Sequence, residues 1–202
     1  MITVVNYGAG NLRSVTNTLE AVGARFEVVS EPAAVEAAHA VILPGVGHFG
    51  QMMEALDRLG LREPLCGKAR SGAPLLGICL GLQAMFETSG EAPEQKGLGL
   101  FPGSVRRFPA PLRCPHMGWN TLRSVRPCRL LEGLGEDPYF YFAHSYYCPP
   151  GEHAAALCDY GTEFCAILER DNVYGVQFHP EKSGPAGLAV MRNFLRAAGE
   201  GQ

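Results

Sequence analysis

Residues 74–87 read Pro74-Leu75-Leu76-Gly77-Ile78-Cys79-Leu80-Gly81-Leu82-Gln83-Ala84-Met85-Phe86-Glu87. The apolar run 74–78 predicts a short buried strand, and 80–86 predicts the start of a helix. Between them, Gly77-Ile78-Cys79-Leu80-Gly81 has the spacing of a nucleophile elbow, with cysteine where many hydrolases place serine. On such a strand-to-helix turn the backbone is strained, and flanking glycines allow it to pack tightly. Sγ of Cys79 is expected to leave the sheet at the turn. The free N–H groups and positive end of the following helix would favour its thiolate. The N–H of Leu80 is then placed to bind an oxyanion. Cys66, Cys114, Cys128, Cys148, Cys158 and Cys165 lack glycine at both −2 and +2. For these six the expectation is a small buried hydrophobe or an exposed thiol.

A second signal lies far downstream in Val173-Tyr-Gly-Val-Gln-Phe-His-Pro-Glu-Lys182. Residues 173–178 predict a strand rich in β-branched and aromatic side chains. His179 and Glu181 stand two apart at its end, so both side chains can leave on one side. Pro180 stiffens the pair. An imidazole beside a carboxylate is the base-and-orienter half of a nucleophilic triad: Glu181 would set the tautomer of His179, and His179 would take the proton of Cys79.

Gly-Ile-Cys-Leu-Gly-Leu-Gln followed by Gln-Phe-His-Pro-Glu resembles the class I, triad-type glutamine amidotransferases over essentially the whole chain, in the order Cys, His, Glu. The stretches 4–12 (VVNYGAGNL), 43–50 (LPGVGHFG), 115–120 (PHMGWN) and 179–183 (HPEKS) are similar to the glutaminase subunits of imidazole glycerol phosphate synthase. The resemblance implies glutamine hydrolysis at Cys79, with ammonia passed to a separate (β/α)8-barrel synthase chain of histidine biosynthesis. There it would react with a phosphoribulosyl-formimino carboxamide ribotide to give imidazole glycerol phosphate and an aminoimidazole carboxamide ribotide. It implies a heterodimer. The motif residues hold no metal cluster or phosphate cradle, so no cofactor is expected for the glutaminase half, and cysteines without paired spacing point to a cytoplasmic location.

Composition agrees without deciding. At 202 residues the prior is one domain over 1–202 with a sizeable core. A net charge of −3 speaks against a nucleic-acid partner. No apolar run is long enough to span a bilayer, and the opening MITVVNYGAG does not read as a signal peptide. Seven cysteines without paired spacing point to reduced thiols. Cys114 and His116 form a close pair that is not by itself a metal site.

In chain order, residues 2–6 predict a strand, Gly8 to Asn11 a turn, and Leu12, Val15, Leu19 and Val22 one face of a helix. A dinucleotide fingerprint fails here because its third glycine falls at Arg13. Strands follow at 25–30 and 40–43, with helices at 32–38, 49–61 and 63–69. The Pro44 to Gly47 loop exposes backbone N–H groups at a strand end. The resemblance assigns the second oxyanion donor to Gly45 or Val46, after a flip. Gln83, one turn after Cys79, points to the same face, and by resemblance it holds the substrate. Glu91 by spacing, or else Glu94, would grip the substrate amino group. Residues 97–101 and 104–108 predict two short strands joined by a Pro102-Gly103 turn, and 115–120 a loop carrying Trp119. Residues 130–135 predict a short helix or turn, and 139–147 an aromatic strand. By resemblance the backbone of His144, Ser145 and Tyr146 binds the substrate carboxylate. His144 is a rival base, but it lacks the adjacent acid that His179 has. Asn11, Trp119 and Lys182 are candidate interface or gate residues. Strands at 154–160 and 164–169 and a helix at 184–198, with Leu188, Met191, Phe194 and Leu195 inward, complete the chain.

Helices alternate with strands in the first half and strands cluster in the second. This predicts an α/β fold with a doubly wound, mixed but mostly parallel open sheet and an antiparallel extension. Cys79 would lie outside the carboxyl ends of the strands. Other readings are a glutaminase subunit for anthranilate or pyridoxal phosphate synthesis, a stand-alone cysteine α/β hydrolase, and a non-catalytic module. Intact Cys79, His179 and Glu181 speak against the last.

Overall fold

Strands whose residues alternate between two apolar faces need cover on both sides, and helices supply it. The computed structural model describes residues 1–9 and 11–200; Gly10, in the predicted 8–11 turn, lies outside the described residues. In chain order the elements are β1 (Ile2–Val5), α1 (Leu12–Ala21), β2 (Phe26–Val29), α2 (Pro32–Ala37), β3 (Ala40–Gly45), α3 (Phe49–Arg58), α4 (Arg62–Ser71), β4 (Leu75–Cys79) and α5 (Leu80–Ala84). They continue with β5 (Phe86–Ser89), β6 (Phe101–Arg107), β7 (His116–Asn120), β8 (Arg123–Ser124), β9 (Phe140–His144), β10 (Tyr146–Tyr147), β11 (Ala154–Asp159), β12 (Glu163–Arg170), β13 (Val173–Val176) and α6 (Gly184–Ala197). Short 3-10 turns occupy Arg129–Leu131 and Pro180–Lys182.

The main sheet has the order β2-β1-β3-β4-β13-β12-β11-β8. Its first five strands are parallel, and β12, β11 and β8 continue it antiparallel. This is the expected doubly wound sheet with its extension. Alternate residues feed two cores. Ile2, Val4, Ile42, Leu76 and Val176 pack with Val15 and Leu19 of α1 and Val190 and Phe194 of α6. Val5, Val41, Leu43 and Leu75 pack with Phe49, Met52 and Leu56 of α3 and Leu65 of α4. Helix α6 buries Met191, Phe194 and Leu195 as expected, while Leu188 is half-buried.

The second half of the chain departs from the sequence reading in four places. The helix after Cys79 is five residues long, and residues from Phe86 onward form β5. Its end is set from outside: the N–H of Leu98 donates to the carbonyl of Ala84, and those of Leu100 and Phe101 donate to Met85. The terminal carbonyls of α5 are thereby satisfied by the returning chain. Of the two strands read at 97–101 and 104–108, residues 97–100 are not strand, and 101–107 form one strand, β6, which pairs with β5. Pro102-Gly103 is a bulge in it, because Phe86 to Thr88 face Phe101 to Ser104. The stretch 115–120, read as a loop, is β7, paired antiparallel with β9 so that Trp119 faces Tyr141 and His116 faces His144. The single strand read at 139–147 breaks at Ser145; β9 joins β7, and β10 joins β6. Each miss is a pairing between distant segments, which local patterning does not carry.

The turn after β13 is pinned from three sides. The His179 N–H donates to the Tyr141 carbonyl at 2.9 Å. The Ser183 hydroxyl donates to the His179 carbonyl at 2.6 Å and accepts the Tyr141 N–H at 3.0 Å. Helix α6 closes on the turn at Gly187, where an added Cβ would lie 1.9 Å from the Pro180 carbonyl oxygen. Gly187→Ala must therefore move α6 or the turn. We expect a loss of about 1–3 kcal/mol by urea unfolding and a fall in Tm of several degrees. An unchanged unfolding midpoint would contradict this packing.

Candidate active site

Cys79 ends β4 and caps α5 with φ +52° and ψ −106°, a conformation L-residues seldom adopt. Three glycines around it have no room for a side chain. A Cβ on Gly81 would lie 2.0 Å from the Leu43 carbonyl oxygen; one on Gly77 would lie 2.7 Å from the Gly81 backbone; one on Gly45 would lie 2.5 Å from the Gly81 nitrogen. Strands β3 and β4 are thus held against the first turn of α5, and the bend at Cys79 is imposed by its surroundings. Leu80 opens α5, so its N–H has no partner within the helix. Other thiols sit differently: burial pushes Cys158 and Cys165 up to about 12.

The His-Pro-Glu turn brings its imidazole to the same point. Nδ1 of His179 lies 2.8 Å from Oε1 of Glu181, with both side chains almost fully buried. The carboxylate therefore holds the Nδ1 proton and leaves Nε2 for the cysteine. Burial works against a charged imidazole here. The Cys79 sulfur and the Glu181 carboxylate outweigh it and hold His179 well above the ordinary histidine range. The second oxygen of Glu181, Oε2, is buried without a hydrogen-bond partner. The imidazole of His179 is thus the hydrogen-bond partner of this carboxylate among the described residues.

These groups line a cavity of about 90 Å³ formed by Cys79, Leu80, Gln83, Glu91, His179, the Val46-Gly47 loop and the Ala143 to Tyr146 strand crossing. Val46, Leu80, the substrate candidates, Cys79 and His179 line it, while Gly45 ends the strand before the loop and Glu181 stands behind His179. Glu91 lines the cavity and accepts the Phe49 N–H at 2.8 Å, at the start of α3. Glu94 is exposed and does not line it, so the structure brings Glu91 of the two acids to the site. The Tyr7 hydroxyl is buried next to the Val46 N–H without a partner of full hydrogen-bond geometry. Burial pushes Tyr7 up to about 12, against the pull of that N–H.

His144 is closed to substrate chemistry at its side chain. Its Nδ1 lies 2.8 Å from the Tyr146 carbonyl and its Nε2 lies 3.2 Å from Nδ1 of His116. His116 is itself stacked between Tyr160 and Phe142. Burial lowers His116 to about 4 and, with the neighbouring imidazoles, lowers His144 to about 3 against the pull of the Tyr146 carbonyl. Of the two rival histidines, His179 alone has its carboxylate and the sulfur.

Gln83 has its Nε2 engaged with the Tyr146 carbonyl at 2.8 Å and with Oε1 of Gln177 at 3.0 Å. Gln177 was quoted in the sequence motif without a role. It is fully buried, and its Nε2 donates to Sγ of Cys79 at 3.6 Å. A polar residue two before His179 on an apolar strand was the available signal. Of the interface candidates, Lys182 lies over the Tyr141 ring at 5.7 Å, and Trp119 meets the same ring edge-on at 5.9 Å. Asn11 caps the N-terminus of α1, which packs on the Pro180–Lys182 turn. A larger concavity of about 730 Å³, between the 120–124 and 131–138 segments, contains none of these groups.

The buried imidazole pair has a consequence for stability. In the unfolded chain both rings take up protons near the ordinary 6.5, whereas folded His116 and His144 resist until about 4 and about 3. The unfolded state therefore binds more protons in that window, and this contribution is full above pH 6.5 and lost on acidification. We expect urea-derived stability to fall by about 1 kcal/mol per pH unit per ring across the window. His116→Gln keeps an N–H for His144 but removes one titration, so its slope should be shallower than wild type. Parallel slopes would exclude the buried neutral pair as the cause.

Residues 3–198 match the family described as "Glutamine amidotransferase class-I". The chain is 53% identical over 196 residues to the "Imidazole glycerol phosphate synthase subunit HisH" of Desulfitobacterium hafniense, covering 96% of this chain and 93% of that one. It is 52% identical over 196 residues to the protein of the same description from Methanothermobacter thermautotrophicus, covering 96% and 98%. In fold it is similar to a crystal structure of glutamine amidotransferase, with TM-score 0.78, 23% identity and coverage of 98% and 100%. It is likewise similar to a chain of PurLQS from Thermotoga maritima, with TM-score 0.77, 20% identity and coverage of 96% and 97%. With residues 3–198 matched and half of the residues identical over nearly the full length, the chain belongs to the class-I glutamine amidotransferase family, in its HisH group.

Proposed function

We propose that this chain is the glutaminase subunit of an imidazole glycerol phosphate synthase of histidine biosynthesis, hydrolysing glutamine to glutamate and ammonia. The carrying observation is that Cys79 and His179 line one cavity while Glu181 holds the imidazole of His179 from behind, in a chain similar over nearly its full length to HisH proteins.

In this reading the Cys79 thiolate attacks the side-chain amide carbon of glutamine. The oxyanion is held by the Leu80 N–H and a second donor from Gly45 or Val46. His179, oriented by Glu181, protonates the departing ammonia and then activates water to release glutamate from the thioester. Glu91 receives the substrate ammonium, Gln83 holds the amide-bearing chain, and the backbone of His144, Ser145 and Tyr146 receives the carboxylate. The Val46 N–H faces the Tyr7 hydroxyl, so supplying the second donor requires that peptide to turn.

Ammonia then passes to the synthase partner, which we take to be a (β/α)8-barrel chain in a cytoplasmic heterodimer. Lys182, Trp119 and Asn11 lie on elements around the His-Pro-Glu turn, and Met117 and Trp119 are exposed apolar side chains of β7. Such apolar exposure beside a site is what a partner surface requires. Among the described residues no helix is long and apolar enough to cross a membrane.

The test is glutamate release from glutamine by the chain alone and with the synthase subunit and its ribotide. Partner-stimulated release, lost in Cys79→Ala and reduced about 10²-fold or more in Glu181→Gln, is expected. No glutamate under any condition from folded protein would refute the assignment.

A further inference from the structure

The buried amides behind Cys79 have their orientations dictated by one acceptor. The Tyr146 carbonyl can only accept, so His144 must present a protonated Nδ1 to it and Gln83 must present its NH2 group. The second N–H of Gln83 then meets Gln177, which must offer Oε1. The remaining end of Gln177 is its NH2 group, and this lies 3.6 Å from Sγ. The same logic carries back to the ribbon: with its Nδ1 proton spent on Tyr146, Nε2 of His144 accepts, and Nδ1 of His116 donates to it. Gln177 is wholly buried just after β13, and its own N–H is tied to the Ala166 carbonyl at 2.9 Å. It has no solvent with which to exchange that bond.

We propose that Gln177 is a positioning residue for the nucleophile: its amide, locked by Gln83 and the Tyr146 carbonyl, aims an N–H donor at Cys79 Sγ and stabilises the thiolate. The proposal rests on Cys79 as the reacting group of the glutaminase site. A donor held on the charged form favours that form, and low surrounding polarity strengthens the effect. It also restrains the sulfur on the side opposite solvent, leaving the cavity side for the substrate. Titratable groups facing the sulfur are His179 on the turn, Tyr7 beyond β1 and Cys148 after β10. Tyr7 and Cys148 are pushed upward by burial, whereas His179 is held in its charged form beside the sulfur.

Alkylation of Cys79 by iodoacetamide across pH, read by peptide mass, tests this on the full chain and needs no turnover. In Gln177→Met, which keeps length and apolar volume but removes the donor, the midpoint of the alkylation curve should move upward by about one unit. Glutamine kcat should fall about tenfold while KM stays within about twofold. Gln177→Glu keeps an acceptor for Gln83 and sets a carboxylate oxygen against the sulfur, so its midpoint should move further in the same direction. It also serves if the Met variant does not fold. A shifted curve supports the inference even if wild-type protein releases no glutamate, which would count against the glutaminase reading alone. An unmoved curve in a folded variant overturns it.

Discussion

The arrangement depends on how closely β3, β4 and the first turn of α5 approach one another. At Gly81 the two backbones are near enough that a methyl group would fall inside the van der Waals radius of the Leu43 carbonyl. Gly45 and Gly77 close the remaining gaps. That contact holds Cys79 at positive φ, at the N-terminal end of α5. The cost of the strained residue, on the order of 1–3 kcal/mol, is offset by burial of the flanking apolar residues on both faces of the sheet.

Around this bend the site is assembled from two kinds of polar contact. The His179–Glu181 pair is local, joined through a proline and clamped by Ser183 to β9. The chain His116, His144, Tyr146, Gln83, Gln177 is long-range, drawing on three strands, α5 and the segment after β13. Each member satisfies the next, as buried polar groups require. The ribbon of β7 and β9 is therefore packed into the hydrogen-bonding behind the nucleophile, while its outer side presents Met117 and Trp119.

Legibility in the sequence followed the range of the interaction. The elbow and the His-Pro-Glu turn are short motifs whose residue types follow from local backbone demands, so Cys79, Leu80, His179 and Glu181 were nameable at once. The parallel strands were legible as apolar runs between helices. The short helix α5, the bulged β6 and the β7–β9 ribbon were not, because each owes its form to a partner many residues away. Spacing favoured Glu91 and left Glu94 as the alternative; the Phe49 N–H at the start of α3 holds Glu91 at the cavity, which Glu94 does not line.

By itself the sequence determined a doubly wound sheet and singled out a candidate nucleophile and an imidazole–carboxylate pair for it. These depend on glycine spacing, a proline and hydrophobic period, all of which are written along the chain. Tertiary structure decided which histidine keeps free nitrogen for chemistry, where the Val46 N–H is aimed, and that Gln177 donates to the sulfur. Those outcomes depend on which single acceptor each buried donor meets, and only the folded chain brings donor and acceptor together.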